Sequence, residues 1–187
     1  MDLWLLLNQG VLFAHVIAFA ITVSAVLRED LRWLLNHRID AARLQSTMRT
    51  VSAGLVVLWA TGLALWAFAA AASPVPWALT AKLCAKLVVV SLLTINGWAL
   101  HRWVFPTLKA DGLTDPLARP LPAVLGAFSS ASWVFASFVG VARPLSGVLS
   151  FADFMGLYAL SLGLAFMLAL LASRARGSVR SHPATTT

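Results

Sequence analysis

Residues 3–27 read LWLLLNQGVLFAHVIAFAITVSAVL, a run of 25 residues without a Lys, Arg, Asp or Glu. A helix needs about 20 predominantly apolar residues to cross the hydrocarbon core of a bilayer. The run is therefore long enough to span, although Asn8, Gln9 and Gly10 weaken its first turns. Four more stretches qualify on the same measure: residues 51–72, 79–100, 122–142 and 151–172. Helices are the admissible form, because an open sheet would leave backbone N–H and C=O groups unpaired in lipid.

Composition agrees. Of the 187 residues, 60% are hydrophobic and 11% charged, with a mean hydropathy of +0.84. A water-soluble domain carries about 25% charged residues, so soluble enzyme folds are excluded. The fold predicted is all-α: an integral membrane bundle of five transmembrane helices in a single domain over residues 1–173, with a disordered cytoplasmic tail over 174–187. Asp2 stands where a cleavable signal would have a positive segment, so the first run is expected to persist as a span.

Charge sets the expected orientation. Arg28, Arg32, Arg38, Arg43 and Arg49 follow span one, Arg102, Lys109 and Arg119 follow span three, and Arg174, Arg176 and Arg180 follow span five. The Ser73-Pro74-Val75-Pro76 turn is uncharged, and the connection between spans four and five holds only Arg143. The positive-inside rule then places the N-terminus outside and the C-terminus in the cytoplasm. The net charge of +7 reads as this orientation signal, with membrane lipids as partners and no nucleic acid.

The connections hold no room for a soluble catalytic domain. Leu31, Leu34, Leu35, Ile39 and Ala42 share one helical face between spans one and two. This predicts a short surface helix or a helical extension of the spans. Residues 106–122 contain four prolines and Gly112, a broken connection. Cys84 is the chain's one cysteine, which excludes an intrachain disulfide or a zinc knuckle. Gly54 and Gly62 in span two, Gly126 and Ser130 in span four, and Gly156 and Gly163 in span five are expected to permit close helix packing.

A few polar residues inside the spans need partners, because an unpaired polar group in lipid is costly. His15 falls roughly 16 Å below the start of span one by helix rise. It is expected either to bond a Ser, Thr or carbonyl of another helix, to ligate haem or a metal, or to handle protons. Lys82 and Lys86 share a face of span three one turn apart, and Asp153 or Tyr158 of span five is the expected companion. Asn96 needs a bond, with Thr22 and Ser24 of span one the expected donors or acceptors. His101 lies too far along span three to join His15 at one depth, so one subunit cannot supply a bis-histidine haem site; two copies would bring two His15 side chains.

The order Phe13-Ala14-His15-Val16-Ile17, then Arg28, Arg43-Leu44, Gly62, Trp77-Ala78-Leu79-Thr80-Ala81-Lys82, Lys86-Leu87-Val88-Val89-Val90 and Asn96-Gly97 resembles small bacterial membrane proteins. These are the relatives of the HemJ-type protoporphyrinogen oxidases and the copper-resistance D membrane proteins. The resemblance covers residues 10–105. It implies that His15 ligates the iron of haem b and that Lys86 serves the oxidation of the porphyrinogen ring. Where that group commonly has a histidine further along span three, this chain has Asn96.

The candidate catalytic residues are thus Lys86 and Tyr158, the candidate cofactor-binding residues His15, Lys86 and Asn96, and the candidate metal ligand His15. Three functions are compatible with them. The first is a structural or accessory protein of the bacterial inner membrane, as a monomer or homo-oligomer. The second is a haem-binding oxidoreductase coupled to quinone or another electron-transfer partner, and the third a small transport or copper-handling protein.

Overall fold

A computed structural model describes residues 3–35, 41–72, 80–106 and 120–180. Five helices contain every long apolar run: α1 (Leu3–Leu35), α2 (Ala41–Ala72), α3 (Ala81–Ala99), α4 (Pro120–Val141) and α5 (Phe151–Arg180). Among the described residues, five helices are long and apolar enough to cross a membrane. Only 11–28% of the residues in their most apolar windows are buried inside the molecule. Water would not tolerate so much exposed hydrocarbon, whereas lipid supplies the missing contact. Leu5, Phe13 and Val56 of the first two helices and Leu160 of α5 all point outward in this way. The protein is a multi-pass membrane protein.

The helices overrun the apolar runs at three ends. α1 continues to Leu35 and α2 begins at Ala41, so residues 28–35 and 41–50 are helical extensions of the spans; residues 36–40 lie outside the described residues. α5 continues to Arg180, which corrects the expectation that residues 174–180 begin a disordered tail. The physical reason is that Arg174, Ala175, Arg176 and Val179 are compatible with helix, and neither Pro nor an apolar-to-turn break stops the backbone at 173. The turn at 73–76, the connection at 107–119 and the tail at 181–187 lie outside the described residues.

Contacts gather the chain into two compact units, one of Met1–Glu29 and Ala42–Thr80, the other of Asp30–Ala41 and Ala81–Thr187. The single domain expected from the sequence is thus described here as two. In the first, α1 and α2 form an antiparallel pair. Thr22 faces Gly54, His15 faces Thr61, and Trp4 meets Phe68 edge-on at 4.8 Å. Gly54 is needed at the crossing, because a Cβ there would coincide with the Thr22 hydroxyl and lie 3.1 Å from its Cβ and Cγ2. Thr22 itself is fully buried and donates to the Ala18 carbonyl at 2.7 Å.

In the second unit, α3 packs on both α4 and α5, and α4 on α5. Ala85, Val89, Leu93, Asn96 and Ala99 form the buried face of α3, at the 3–4-residue spacing of a helical stripe. A π-helical turn over Leu100–Val104 then interrupts the helix, closed by Phe105 N–H donating to Leu100 O. The wider turn takes up one extra residue. Val104 and Phe105 are buried, while His101, Arg102 and Trp103 are exposed. The exposed Trp103 stacks edge-on with Trp98 at 5.4 Å.

Helix ends follow local chemistry. Pro120 opens α4, where its missing N–H and fixed φ cost nothing. Pro144 opens a short 3-10 turn after α4. Ser150 and Asp153 form a reciprocal cap on α5. Ser150 N–H and Oγ–H reach Asp153 Oδ2 at 2.8 and 2.7 Å, and Asp153 N–H reaches Ser150 Oγ at 3.2 Å.

Not every expected small-residue contact is used. A Cβ at Gly156 or Gly163 would meet nothing within 4 Å, which corrects their assignment to close packing. Gly54→Ala is expected to lower stability by about 1–3 kcal/mol through overpacking, with much of the loss recovered in a Thr22→Ala background. Gly156→Ala should show no loss. Equilibrium unfolding in mixed detergent micelles measures all three, and a Gly54→Ala protein as stable as the parent would refute the close approach.

Candidate functional site

His15 lies on the first unit's helix pair, half-buried, with Nδ1 2.7 Å from Thr61 Oγ1. Thr61 has one hydroxyl proton, which goes to Val57 O at 2.6 Å. His15 Nδ1–H is therefore the donor, and the lone pair of the ring sits on Nε2. Gly62 lies beside the ring, and a Cβ there would make an ordinary contact with His15 Cε1 at 3.5 Å. The helix-to-helix bond was one of the roles expected of His15. Its partner Thr61 stood in the sequence one residue before Gly62, a threonine in an apolar span, but nothing there said which helix it would face.

Asn96, Lys86 and Tyr158 belong to the second unit. Asn96 is buried and its Nδ2 donates to the Leu125 carbonyl of α4 at 3.2 Å. This corrects the expectation of Thr22 or Ser24 as its partner: Thr22 spends its proton within α1. The α4 carbonyl is reachable because the late turns of α3 meet the early turns of α4, which makes the two helices antiparallel. Asn96 Oδ1 is buried with no hydrogen-bond partner among the described residues, and turning the amide over would oppose two oxygens at Leu125.

Tyr158 is buried on α5 and its hydroxyl lies 2.7 Å from Ser132 Oγ of α4. Ser132, with no exposed surface, donates to Phe128 O at 2.7 Å, so the tyrosine donates and the serine accepts. Phe135 and Phe128 stack around the phenol at 5.1 and 6.5 Å between centroids. The candidate catalytic phenol is thus a closed bond between two helices inside an aromatic wall.

Lys86 is exposed on α3. The positive charges of Lys82 and Arg143 bear on it. Asp153, expected as the neutralising carboxylate, instead holds the Ser150 cap, because a residue three positions after a Ser helix cap has a bond at hand that no lysine needs to supply. Elsewhere in this unit Ser130 Oγ donates to Asp30 Oδ2 at 2.6 Å, with Gly126 O as its other acceptor at 2.9 Å. No group of three or more His, Cys, Asp or Glu side chains able to hold a metal ion occurs among the described residues.

These features define a multi-pass α-helical membrane protein in which the polar side chains of the interior join one helix to the next. No protein-family model, curated protein or solved structure matches the chain.

The tyrosine–serine pair makes a directional prediction. Tyr158→Phe leaves Ser132 still bonded to Phe128 O and should cost about 0.5–1.5 kcal/mol. Ser132→Ala strands the phenol hydroxyl in an apolar site and should cost more, about 1–3 kcal/mol. Unfolding curves that rank the two variants the other way would show that the proton order is reversed.

Proposed function

We propose that this chain is a structural or accessory protein of the bacterial inner membrane, with its N-terminus outside and its C-terminus in the cytoplasm. The observation behind this reading is the way the interior polar groups are used. His15 joins α1 to α2 through Thr61, Asn96 joins α3 to α4 through Leu125 O, and Tyr158 joins α5 to α4 through Ser132. Each serves recognition between helices, which in lipid must come from packing and hydrogen bonds because the hydrophobic effect does not drive it. His15, Asn96 and Tyr158 are thus each engaged in a bond between two helices.

One observation favours a second reading, a haem b or metal ligated by His15. Thr61 bonds the ring at Nδ1, the kind of partner that orients a metal-ligating imidazole. Such a group would supply electron transfer, with His15 as the ligand that Thr61 positions. Among the described residues no group of three or more His, Cys, Asp or Glu side chains surrounds it to hold a metal ion. That donor set suits a single axial bond to haem better than a copper site, which needs several ligands.

The visible spectrum of full-length protein purified after expression with ample haem precursor separates the readings. The structural reading expects no Soret band that depends on His15, and a loss of about 1 kcal/mol of stability in His15→Ala from the broken interhelical bond. A stoichiometric Soret band that disappears in His15→Ala would overturn it. Orientation is tested apart from this. A green fluorescent protein fused after Thr187 should fluoresce and an alkaline phosphatase fused there should be inactive; the opposite pattern would invert the topology.

A further inference from the structure

Ala20, Ile21, Ser24, Leu27 and Arg28 of α1 follow the spacing of one helical side. All five are exposed, and together they line a groove of about 610 Å³. Every one of them belongs to the first unit. Arg28 is the first charge after the uncharged run 3–27, so it stands where hydrocarbon gives way to headgroups whichever way the span is oriented. Its Nε donates to Ser24 O at 3.1 Å, which folds the side chain back along the groove. The positions three and four residues to either side hold Ser24, Ala25, Leu31 and Arg32, so the helix offers Arg28 no carboxylate at neighbouring spacing. Glu29 is buried where Arg28 is exposed, and Asp30 accepts from Ser130. Among the described residues the guanidinium has the Ser24 carbonyl as its partner and no carboxylate. Ser24 Oγ has no hydrogen-bond partner there either, unlike the hydroxyls of Thr22 and Thr61, which donate within their own helices.

A guanidinium and a hydroxyl one turn apart at the edge of hydrocarbon suit an anion. With Nε engaged, the N–H donors of both Nη groups remain, a fork that matches two phosphate oxygens. The rest of the groove is apolar. Ile21 is 54% exposed and Leu27 43%, and the short side chains of Ala20 and Ser24 leave a trough between them. That trough leads from Arg28 into the apolar span, the direction an acyl chain takes from its phosphate. A free inorganic anion gains nothing from it. We infer that Arg28 and Ser24 bind the phosphate of an anionic phospholipid, one of whose chains lies along Ala20, Ile21 and Leu27. The site rests neither on the orientation of the chain nor on what His15 does.

The test uses full-length protein in detergent, titrated with short-chain phosphatidylglycerol, with phosphatidylcholine of the same chain length and with inorganic phosphate, and read by native mass spectrometry. Phosphatidylglycerol should bind about tenfold more tightly than phosphatidylcholine, whose own cation competes with Arg28. Arg28→Gln should remove about tenfold of that affinity and Ser24→Ala about threefold. Ala20→Phe fills the trough with the charge intact and should also weaken the lipid about tenfold; it supplies the reading should Arg28→Gln fail to insert. Equal affinities for the two lipids overturn the site, as does full phosphatidylglycerol affinity in folded Arg28→Gln or Ala20→Phe protein. Displacement of the lipid by inorganic phosphate at comparable concentration would mark a free-anion site and overturn the lipid assignment. A lipid-free dimer that Ala20→Phe dissociates would make the groove a contact between two copies and overturn it too.

Discussion

Hydrocarbon offers no hydrogen bonds, so every donor and acceptor placed in it has to find a partner within the protein. The backbone meets this demand by coiling. The side chains meet it through a recurring arrangement, in which a hydroxyl donates to the carbonyl four residues back. Thr22 does so to Ala18, Thr61 to Val57, Thr94 to Val90, Ser132 to Phe128 and Ser137 to Trp133. Once its proton is spent in its own helix, such a hydroxyl has lone pairs to offer a neighbour. Thr61 offers them to His15 and Ser132 to Tyr158. The His15–Thr61 and Tyr158–Ser132 contacts are built on this prior local bond, whereas Asn96 reaches a backbone carbonyl of α4 directly.

The same constraint explains why so little of each helix is enclosed. A soluble bundle of this size would hide its leucines. Here Leu160 of α5 is 71% exposed and Phe13 of α1 69%, while the enclosed positions hold Trp133 and Phe154 beside small or hydroxylated residues such as Ala85, Thr22 and Ser132. Gly54 against Thr22 is the clearest case. The two backbones come near enough there that a methyl group has no room, and the gain is dispersion contact that lipid does not already supply.

The spans were legible because length and apolarity are the only two properties the bilayer demands, and both are countable along the chain. Helix ends were less so: Arg174 and Arg176 signal an interface in composition, yet an arginine is also a good helix former, and α5 runs on through them. Partner choice was hidden almost entirely. Asn96 needed a bond by its type, but the carbonyl of Leu125 looks in sequence like any other carbonyl. Asp153 looked like a counter-ion for the lysines until its spacing from Ser150 was given geometry, although Ser-x-x-Asp ahead of an apolar run was readable as a cap. The sequence let the polar residues of the spans be compared only by depth. Depth says nothing about which way a helix is turned, and rotation decided that Asn96 met α4 and Tyr158 met Ser132.

The π-helical turn at Leu100–Val104 has a consequence for how this chain tolerates change. Its one surplus residue shifts the angular phase of α3, so positions before and after it that are seven apart no longer share a side. Deleting a residue there would restore an ordinary coil and swing Val104 and Phe105 back by roughly 100°, the arc of one helical residue, out of the enclosed seam. A deletion a few positions earlier would shift the pattern of the whole preceding stripe as well. The turn thus works as a splice in the hydrophobic pattern: two stretches of helix with incompatible phases are joined there, and each is free to vary in length only on its own side of the join.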